Sequence, residues 1–348
     1  MLKSSPHKAV ALLSGGLDSM LAILAILRQG IRVSAIRFST PFDAHTAHDE
    51  VHGMLFERFS QQRDFENTVL HLGTEMIDIV KNPEHGYGKN MNPCIDCRIM
   101  MLKHARQFME MVGADFLVTG EVLGQRPMSQ RKDMLYHIDK DAGVTDMVLR
   151  PLCARLLRET IAEQRGIVDR GRLFSFNGRS RKPQMALAME FGLDAYPAPA
   201  GGCLLTEPNY AFRLKELFEH APSPSMKDID LLRVGRHFRY SPRFKIIVGR
   251  DRAENDVIEA LAQEGDYLLR VEGCGSPMTL VPGNVTAESL RYAASVCARY
   301  SDEKYLGEVA VSVFRGGKSS VLRVTPAADD ILDATRIEKG QTRTQAKA

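Results

Sequence analysis

Ser14-Gly15-Gly16-Leu17-Asp18-Ser19 decides how this chain is read. An apolar run, Ala9 to Leu13, precedes it and reads as a buried strand. Met20 to Leu27, built largely of Leu, Ala and Ile, follows it and reads as a helix stopped by Gly30. A strand, a turn with two glycines and a helix start make a site for an anion. The glycines let backbone N–H groups approach a phosphate, and the helix N-terminus adds partial positive charge. Ser14 and Ser19 add hydroxyl donors. No Lys follows Gly16, which excludes a Walker loop, and the dinucleotide fingerprint needs a third Gly and no acid in the loop. Asp18 beside bound phosphates makes sense with a cation such as Mg²⁺ between them.

At 348 residues the chain has room for two domains. Hydrophobic content of 44% with 26% charge is that of a globular protein. No apolar run reaches the ~18 residues of a membrane span, and Met-Leu-Lys-Ser-Ser-Pro at the start has no signal-peptide apolar region. The expectation is a cytoplasmic protein without a membrane partner. Its six cysteines then point to thiol or metal chemistry rather than to a disulfide framework. Net charge is only +3, but basic residues are concentrated: six Lys/Arg and no acid between Leu231 and Arg250, nine against three acids between Arg150 and Lys182. Such runs are either solvated faces or phosphate contacts.

Along the first 150 residues strands and helices alternate. Ile31 to Phe38 and Thr68 to Leu72 read as strands, Thr74 to Lys81 as a helix capped by Thr74, Cys97 to Val112 as a helix, and Asp115 to Thr119 as a strand ending in Thr119-Gly120. A helical pattern also covers 49 to 63. Alternation of this kind predicts a doubly wound parallel sheet with its ligand at the carboxyl ends of the strands, where the Ser14–Ser19 loop and Thr119-Gly120 both fall. Helices are expected over Arg158 to Val168, Lys182 to Phe191 and near 209 to 219. Ala221-Pro222-Ser223-Pro224-Ser225 reads as a linker. Beyond it, strands over Phe244 to Val248, Tyr267 to Val271 and Val309 to Phe314 and helices over Glu254 to Ala262 and Ala287 to Tyr300 predict a smaller α+β domain.

Cys94-Ile95-Asp96-Cys97 is a Cys-x-x-Cys at a helix start, which alone is compatible with redox, zinc or iron–sulfur chemistry. A four-cysteine zinc site wants a second close pair, and Cys153, Cys203, Cys274 and Cys297 are all isolated. The Pro/Gly-framed run Tyr196-Pro197-Ala198-Pro199-Ala200-Gly201-Gly202-Cys203 exposes one of them. Cys94, Cys97 and Cys203 are therefore grouped. Three thiolates hold a 4Fe–4S cluster with one iron open for a sulfur ligand; zinc is the weaker alternative. In a second arrangement Cys203 carries a persulfide that Cys94 or Cys97 resolves. Cys153 and Cys297 read as buried small hydrophobes.

Ser-Gly-Gly-x-Asp-Ser after a first strand resembles the PP-loop of the ATP pyrophosphatase family. Together with Asn92-Pro93-Cys94-Ile95-Asp96-Cys97, Thr119-Gly120 and Gly201-Gly202-Cys203, the chain is similar to the 4-thiouridine and 2-thiouridine synthetases over roughly residues 8 to 220. The resemblance implies an adenine nucleotide alpha hydrolase-like α/β fold and an ATP-dependent tRNA sulfurtransferase. ATP adenylates a uracil carbonyl oxygen, releasing pyrophosphate; a sulfur nucleophile attacks the carbon and AMP leaves. Carried over, Ser14, Gly15, Gly16, Asp18 and Ser19 bind ATP and Mg²⁺, Thr119 and Gly120 sit near the nucleotide, and Cys203, Cys94 and Cys97 deliver sulfur from a cysteine desulfurase or sulfide. The 4-thiouridine enzymes carry an N-terminal RNA-binding domain, for which no room is expected before Ser14. Phe244-Lys245-Ile246-Ile247-Val248-Gly249-Arg250-Asp251, with Glu254-Asn255-Asp256 and Ala293 to Ser301, is similar instead to the NFACT-type RNA-binding domain. That resemblance implies tRNA contact at the 231–250 basic run. The domain organisation expected is 1–220 for the PP-loop domain, with 150–220 a basic, cysteine-bearing extension, then 221–226 as linker, 227–325 as the RNA-binding domain and 326–348 as a loose polar tail.

Two motifs are decoys. His48-Asp49-Glu50-Val51-His52 lacks the Glu of a zinc-protease helix, and Gly316-Gly317-Lys318-Ser319 lacks the first Gly of a Walker loop. Two further functions remain open to the sequence: a PP-loop ligase or amidotransferase acting on RNA or a small carboxylate, and a nucleotide-sensing RNA-binding factor.

Overall fold

The computed structural model describes residues 6–43, 57–193, 195–196, 203–283 and 285–340. They separate into two units, one up to Leu204 and one from Leu205 onward.

The first unit is built on a parallel sheet of β1 (Lys8–Leu12), β2 (Arg32–Ser39), β3 (Glu66–His71), β4 (Phe116–Thr119) and β5 (Val148–Leu149), in the order β3-β2-β1-β4-β5. β1 is central and covered on both faces, so its residues are apolar without alternation. Ala9 and Ala11 face α1 (Leu17–Leu27) and α5 (Lys182–Glu190); Val10 and Leu12 face α3 (Cys94–Met111). α1 is apolar almost all round because it is enclosed, with Leu21, Ile23 and Ile26 fully buried at about 1.5–3 kcal/mol each. α3 is amphipathic: Ile95, Ile99, Leu102, Ala105 and Met109 form its inner stripe. α2 (Thr74–Lys81) and α4 (Lys132–Asp141) complete the layers. The chain leaves β1 toward β2 and β3 and later returns beside β1 as β4, so the switch in strand order lies between β1 and β4.

The second unit is an antiparallel sheet of β6 (Arg236–Ser241), β7 (Phe244–Val248), β8 (Tyr267–Val271), β9 (Thr279–Val281), β10 (Val309–Arg315) and β11 (Lys318–Val324), in the order β11-β10-β8-β9-β7-β6. α9 (Ala287–Arg299) packs on one face through Ala293, Val296 and Cys297, and α8 (Arg252–Leu261) places Ile258 on the other. α6 (Pro208–His220), α7 (Met226–Leu231) and α10 (Asp329–Thr335) flank the sheet. Gly316 and Gly317, at φ 52° and 75°, turn β10 into β11, so the Walker-like decoy is a hairpin turn.

Several boundaries differ from the sequence reading. α3 begins at Cys94, so both cysteines of the pair lie in its first turn. Thr74 is inside α2 and Gly73 caps it without a side-chain bond. The helix expected over 158–168 is one turn, Ile161–Gln164, held by a Thr160/Glu163 capping box and ended where Gly166 takes φ 66°. The units divide ahead of the Ala221–Ser225 stretch because α6 belongs to the second unit: its buried Glu216 pairs with Arg239 of β6 and Lys245 of β7. The tail is packed as far as Ile337, which is 1% exposed and whose backbone N–H donates to the His237 carbonyl at 2.8 Å. Residues 49–56, the His48–His52 decoy and Gly201-Gly202 lie outside the described residues; 57–63 are helical. Among the described residues no helix is long and apolar enough to cross a membrane.

Candidate active site

The Ser14–Ser19 loop leaves β1 at the carboxyl end of the sheet beside the switch point. Gly15 takes φ 85°, which a side chain would strain. Gly16 stands at the N-cap of α1, and its carbonyl accepts from the Ser19 N–H at 3.1 Å and the Ser19 hydroxyl at 2.8 Å. Ser14 Oγ donates to Ser19 Oγ at 3.4 Å. Asp18 accepts from Gln125 Nε2 on Oδ2 at 2.9 Å, while its Oδ1 is buried with no hydrogen-bond partner. A buried, unsatisfied carboxylate oxygen beside free helix N–H groups suits a cation bridging it to an anion.

β4 delivers Thr119 and Gly120 to the same place, with different roles. Thr119 is 1% exposed and its hydroxyl donates to Glu121 at 3.1 Å. Gly120 is the residue that abuts the loop. A Cβ there would stand 2.5 Å from the Asp18 carbonyl carbon and 2.6 Å from Ser19 Cα, closer than any real contact.

The cysteines assemble on the β2 side of this end. The Cys203 segment bridges Asp43, just past β2, and Leu204 N donates to the Phe42 carbonyl at 2.9 Å. Cys97 is close enough to Cys203, Cys94 and Asp43 for their charges to act on it. Burial pushes the Cys97 thiol up to about 12, with Cys203, Cys94 and Asp43 adding to the rise against the pull of Arg98. Burial also raises Cys94, opposed by Arg126 and Arg98. Among the described residues, the His, Cys, Asp and Glu ligand atoms that gather in threes within 4.8 Å do not include these cysteines. Three thiols gathered near one another suit a thiophilic metal group.

A buried ionic network underlies both halves. Glu121 accepts from Arg150 Nε at 2.9 Å and lies 3.1 Å from Arg98 Nε; Arg150 also holds Asp139 through two bonds of 2.7 and 2.8 Å. Burial alone would raise Glu121, but Arg98 and Arg150 outweigh it and hold the carboxyl below its ordinary range. Cys153 lies in this network, its thiol 3.4 Å from the Glu121 carbonyl; Cys153 and Cys297 are both buried, as the sequence suggests. The sequence reading does not single out Arg98, Glu121, Gln125, Arg126, Asp139 or Arg150. Glu121 two residues after a buried strand and Arg98 directly after the Cys-x-x-Cys were the available signals. The Gln125–Asp18 bond spans 107 residues and leaves no local trace.

Two segments match family models: residues 4–165 match "Thiamine biosynthesis protein (ThiI)" and residues 235–335 match the "NFACT protein RNA binding domain". The chain carries a ThiI domain followed by an NFACT-type domain. The ThiI domain contains the whole Ser14–Ser19 loop, the cysteine pair and Gly120, and ends short of Cys203. The probable tRNA sulfurtransferase of Macrococcus caseolyticus (strain JCSC5402) is 35% identical over 147 residues, 42% of this chain and 34% of that protein. The one from Thermoanaerobacter sp. (strain X514) is 31% identical over 146 residues, 42% of this chain and 36% of that protein. The chain thus spans little more than a third of these relatives. A 4-thiouridine synthetase–RNA complex with bound ATP aligns with 65% of this chain and 52% of its own at 21% identity and a TM-score of 0.35.

Proposed function

We propose that this protein is an ATP-dependent tRNA sulfurtransferase working in the cytoplasm. The observation that carries the proposal is the segment after β4. Gln125 bonds Asp18 of the nucleotide loop, and the next residue, Arg126, acts on Cys94. One short stretch therefore ties the phosphate site to the cysteine site. An adenylating centre next to a set of thiols is what replacing a carbonyl oxygen by sulfur requires.

In this reading the loop amides of Gly15 and Gly16, with Ser14 and Ser19, hold the phosphates of ATP. Asp18 would hold Mg²⁺, whose charge would offset that of the pyrophosphate. The uracil oxygen attacks the α-phosphorus, pyrophosphate departs, and the carbon becomes open to a sulfur nucleophile; AMP then carries the oxygen away. Cys94, Cys97 and Cys203 would hold a 4Fe–4S cluster, which would supply a place to bind sulfide. The half-buried, up-shifted Cys97 thiol is a poor nucleophile by itself, which favours its ligation over its attack on a Cys203 persulfide. Ligation would also deprotonate it. The NFACT-type domain over 235–335 holds the tRNA, and a cysteine desulfurase or free sulfide supplies sulfur. Of the 231–250 basic run, only Arg243 and Arg250 are exposed, so phosphate contact by that run rests mainly on these two.

The test is mass spectrometry of nucleosides from tRNA incubated with the anaerobically purified protein, ATP, Mg²⁺ and sulfide. The expected result is one thiolated uridine with one AMP per sulfur. Cys203→Ser keeps pyrophosphate release and loses the thionucleoside. Pyrophosphate release with no thionucleoside from the unchanged chain points to ligase or amidotransferase chemistry; no release at all points to a nucleotide-sensing RNA-binding factor.

A further inference from the structure

A second constellation lies in the ThiI domain apart from the three cysteines, where the loop before α3, the first turn of α3 and the end of α4 meet. His137 and Asp141, four residues apart on α4, present one ligand atom each to the same point. His85, from the loop, presents its Nε2 to that point as well. The two Nε2 atoms are 3.1 Å apart, and Asp141 Oδ2 is 3.4 Å from each of them. Metal–ligand bonds of about 2.0–2.2 Å in a tetrahedron set ligand atoms roughly 3.3–3.6 Å apart; the triangle is close to one face of such a shell.

The other side of the His85 ring gives an independent indication. His85 Nδ1 is 2.8 Å from Asp96 Oδ1, and the His85 backbone N–H donates to Asp96 Oδ2 at 3.2 Å. Asp96 is buried and engages Nδ1, which leaves Nε2, on the side of His137 and Asp141, as the ring nitrogen placed to ligate. A carboxylate that fixes the tautomer of a ligating histidine is the usual outer support of a metal site. Solvent reaches the triangle, with His137 43% and Asp141 33% exposed, which leaves an entry path and open positions for water.

We propose that His85, His137 and Asp141 form a binding site for a divalent transition-metal ion, with Asp96 as the positioning residue. Two imidazoles and one carboxylate suit zinc, iron, cobalt or manganese rather than calcium or magnesium. The bound ion ties the 82–93 loop to α3 and α4. Through Asp96 it also fixes the turn that carries Cys94 and Cys97. The proposal does not depend on the reaction assigned to the cysteines.

The experiment is Co²⁺ titration of the full-length protein after chelator treatment. Cysteine ligation adds a near-ultraviolet sulfur-to-cobalt charge-transfer band, and nitrogen and oxygen ligation gives visible bands alone. We expect one equivalent of Co²⁺ with visible bands that survive in the Cys94→Ser/Cys97→Ser variant and vanish in His137→Ala. Asp96→Asn weakens this binding by about 10–100-fold. Zn²⁺ raises the Tm of the Cys94→Ser/Cys97→Ser protein and leaves that of the same protein with His137→Ala unchanged. Circular dichroism of the half-exposed His137→Ala variant, with Asp141→Asn as a second test, separates lost binding from lost fold. Unaltered visible bands in both variants overturn the site, as does a sulfur band alone in the unchanged chain; either result leaves a hydrogen-bonded His–His–Asp triad only.

Discussion

At the scale of single residues, the two halves of the site are sensitive to different kinds of change. Gly120 is a matter of space. Its backbone lies against Asp18 and Ser19, so Gly120→Ala forces the nucleotide loop to move. Overlap of this kind costs about 1–3 kcal/mol, and each 1.4 kcal/mol lost in the transition state is about tenfold in rate. Gly120→Ala is therefore expected to lower pyrophosphate release by about ten- to a hundredfold while iron uptake by the cysteines is unchanged; an unaltered rate would separate β4 from the nucleotide. Cys97 is a matter of charge. With its thiol at about 12, only a trace is thiolate at neutral pH, and Arg98 is what pulls it down. In the metal-free protein, iodoacetamide should alkylate Cys97 slowly at pH 7.5 and faster as pH rises. Arg98→Ala should slow alkylation further, because removing the positive charge moves the thiol higher still. Faster labelling in Arg98→Ala would show that access, not ionisation, limits the reaction. The Ser14–Ser19 loop and the Cys94/Cys97 pair were readable from the sequence because each is a local pattern with its own chemistry. That Gly120, just past β4, abuts the loop depends on where the end of β4 lies against β1, and that is settled only by the pairing of the two strands.

Among the elements, β4, β5, α3 and α4 are locked together by charges as well as by the apolar contacts of Leu117, Val148, Ile99 and Ile138. Arg150 follows β5, Glu121 follows β4, Arg98 sits on α3 and Asp139 on α4, and Arg150 and Glu121 are each 2% exposed. Burying such groups is tolerable only while all remain paired. Arg150→Met strands Asp139, leaves Glu121 with Arg98 alone and should cost about 3–5 kcal/mol, read as a lower urea midpoint at unchanged slope. A loss near zero would mean that water already reaches the network. The expected strands and helices with strong patterns were found within three residues, including Phe244–Val248 and Tyr267–Val271 as read. What the pattern missed is short or polar. β5 has two residues, and α4 reads Lys-Asp-Met-Leu-Tyr-His-Ile-Asp-Lys-Asp, where charge hides the buried Leu135 and Ile138. Arg158 to Val168 looked helical because Gly166 is the only local sign of its early stop.

For the whole molecule, each unit has its own core, one around β1 and α1 and one around the antiparallel sheet and α9. Two cores in one chain give two unfolding transitions. Ala221–Ser225 drew the expected boundary because Pro and Ser look like a linker, whereas the pull on α6 is the long-range pairing of Glu216 with Arg239, which sequence spacing does not reveal. The same region contains a pH-sensitive group. His237 on β6 is 1% exposed, its Nε2 donates to the Val234 carbonyl at 2.9 Å, and its Nδ1 is buried without a partner. Burial, with Lys245 and Arg213 nearby, holds the imidazole well below 6.5, so the folded unit keeps it neutral. The unfolded chain takes up a proton as pH falls through about 6.5 and the folded unit does not, so stability is retained above that pH and lost below it. Moving from pH 7.5 to 5.5 should therefore remove about 1.4 kcal/mol from the second unit through this one residue. Calorimetry at the two pH values should show the transition of the second unit shifting down. In His237→Gln, which keeps a donor for Val234 but does not titrate, that shift should shrink by the same amount. An equal shift in both proteins would mean that His237 takes up its proton in the folded state, and that its unpartnered Nδ1 is open to water.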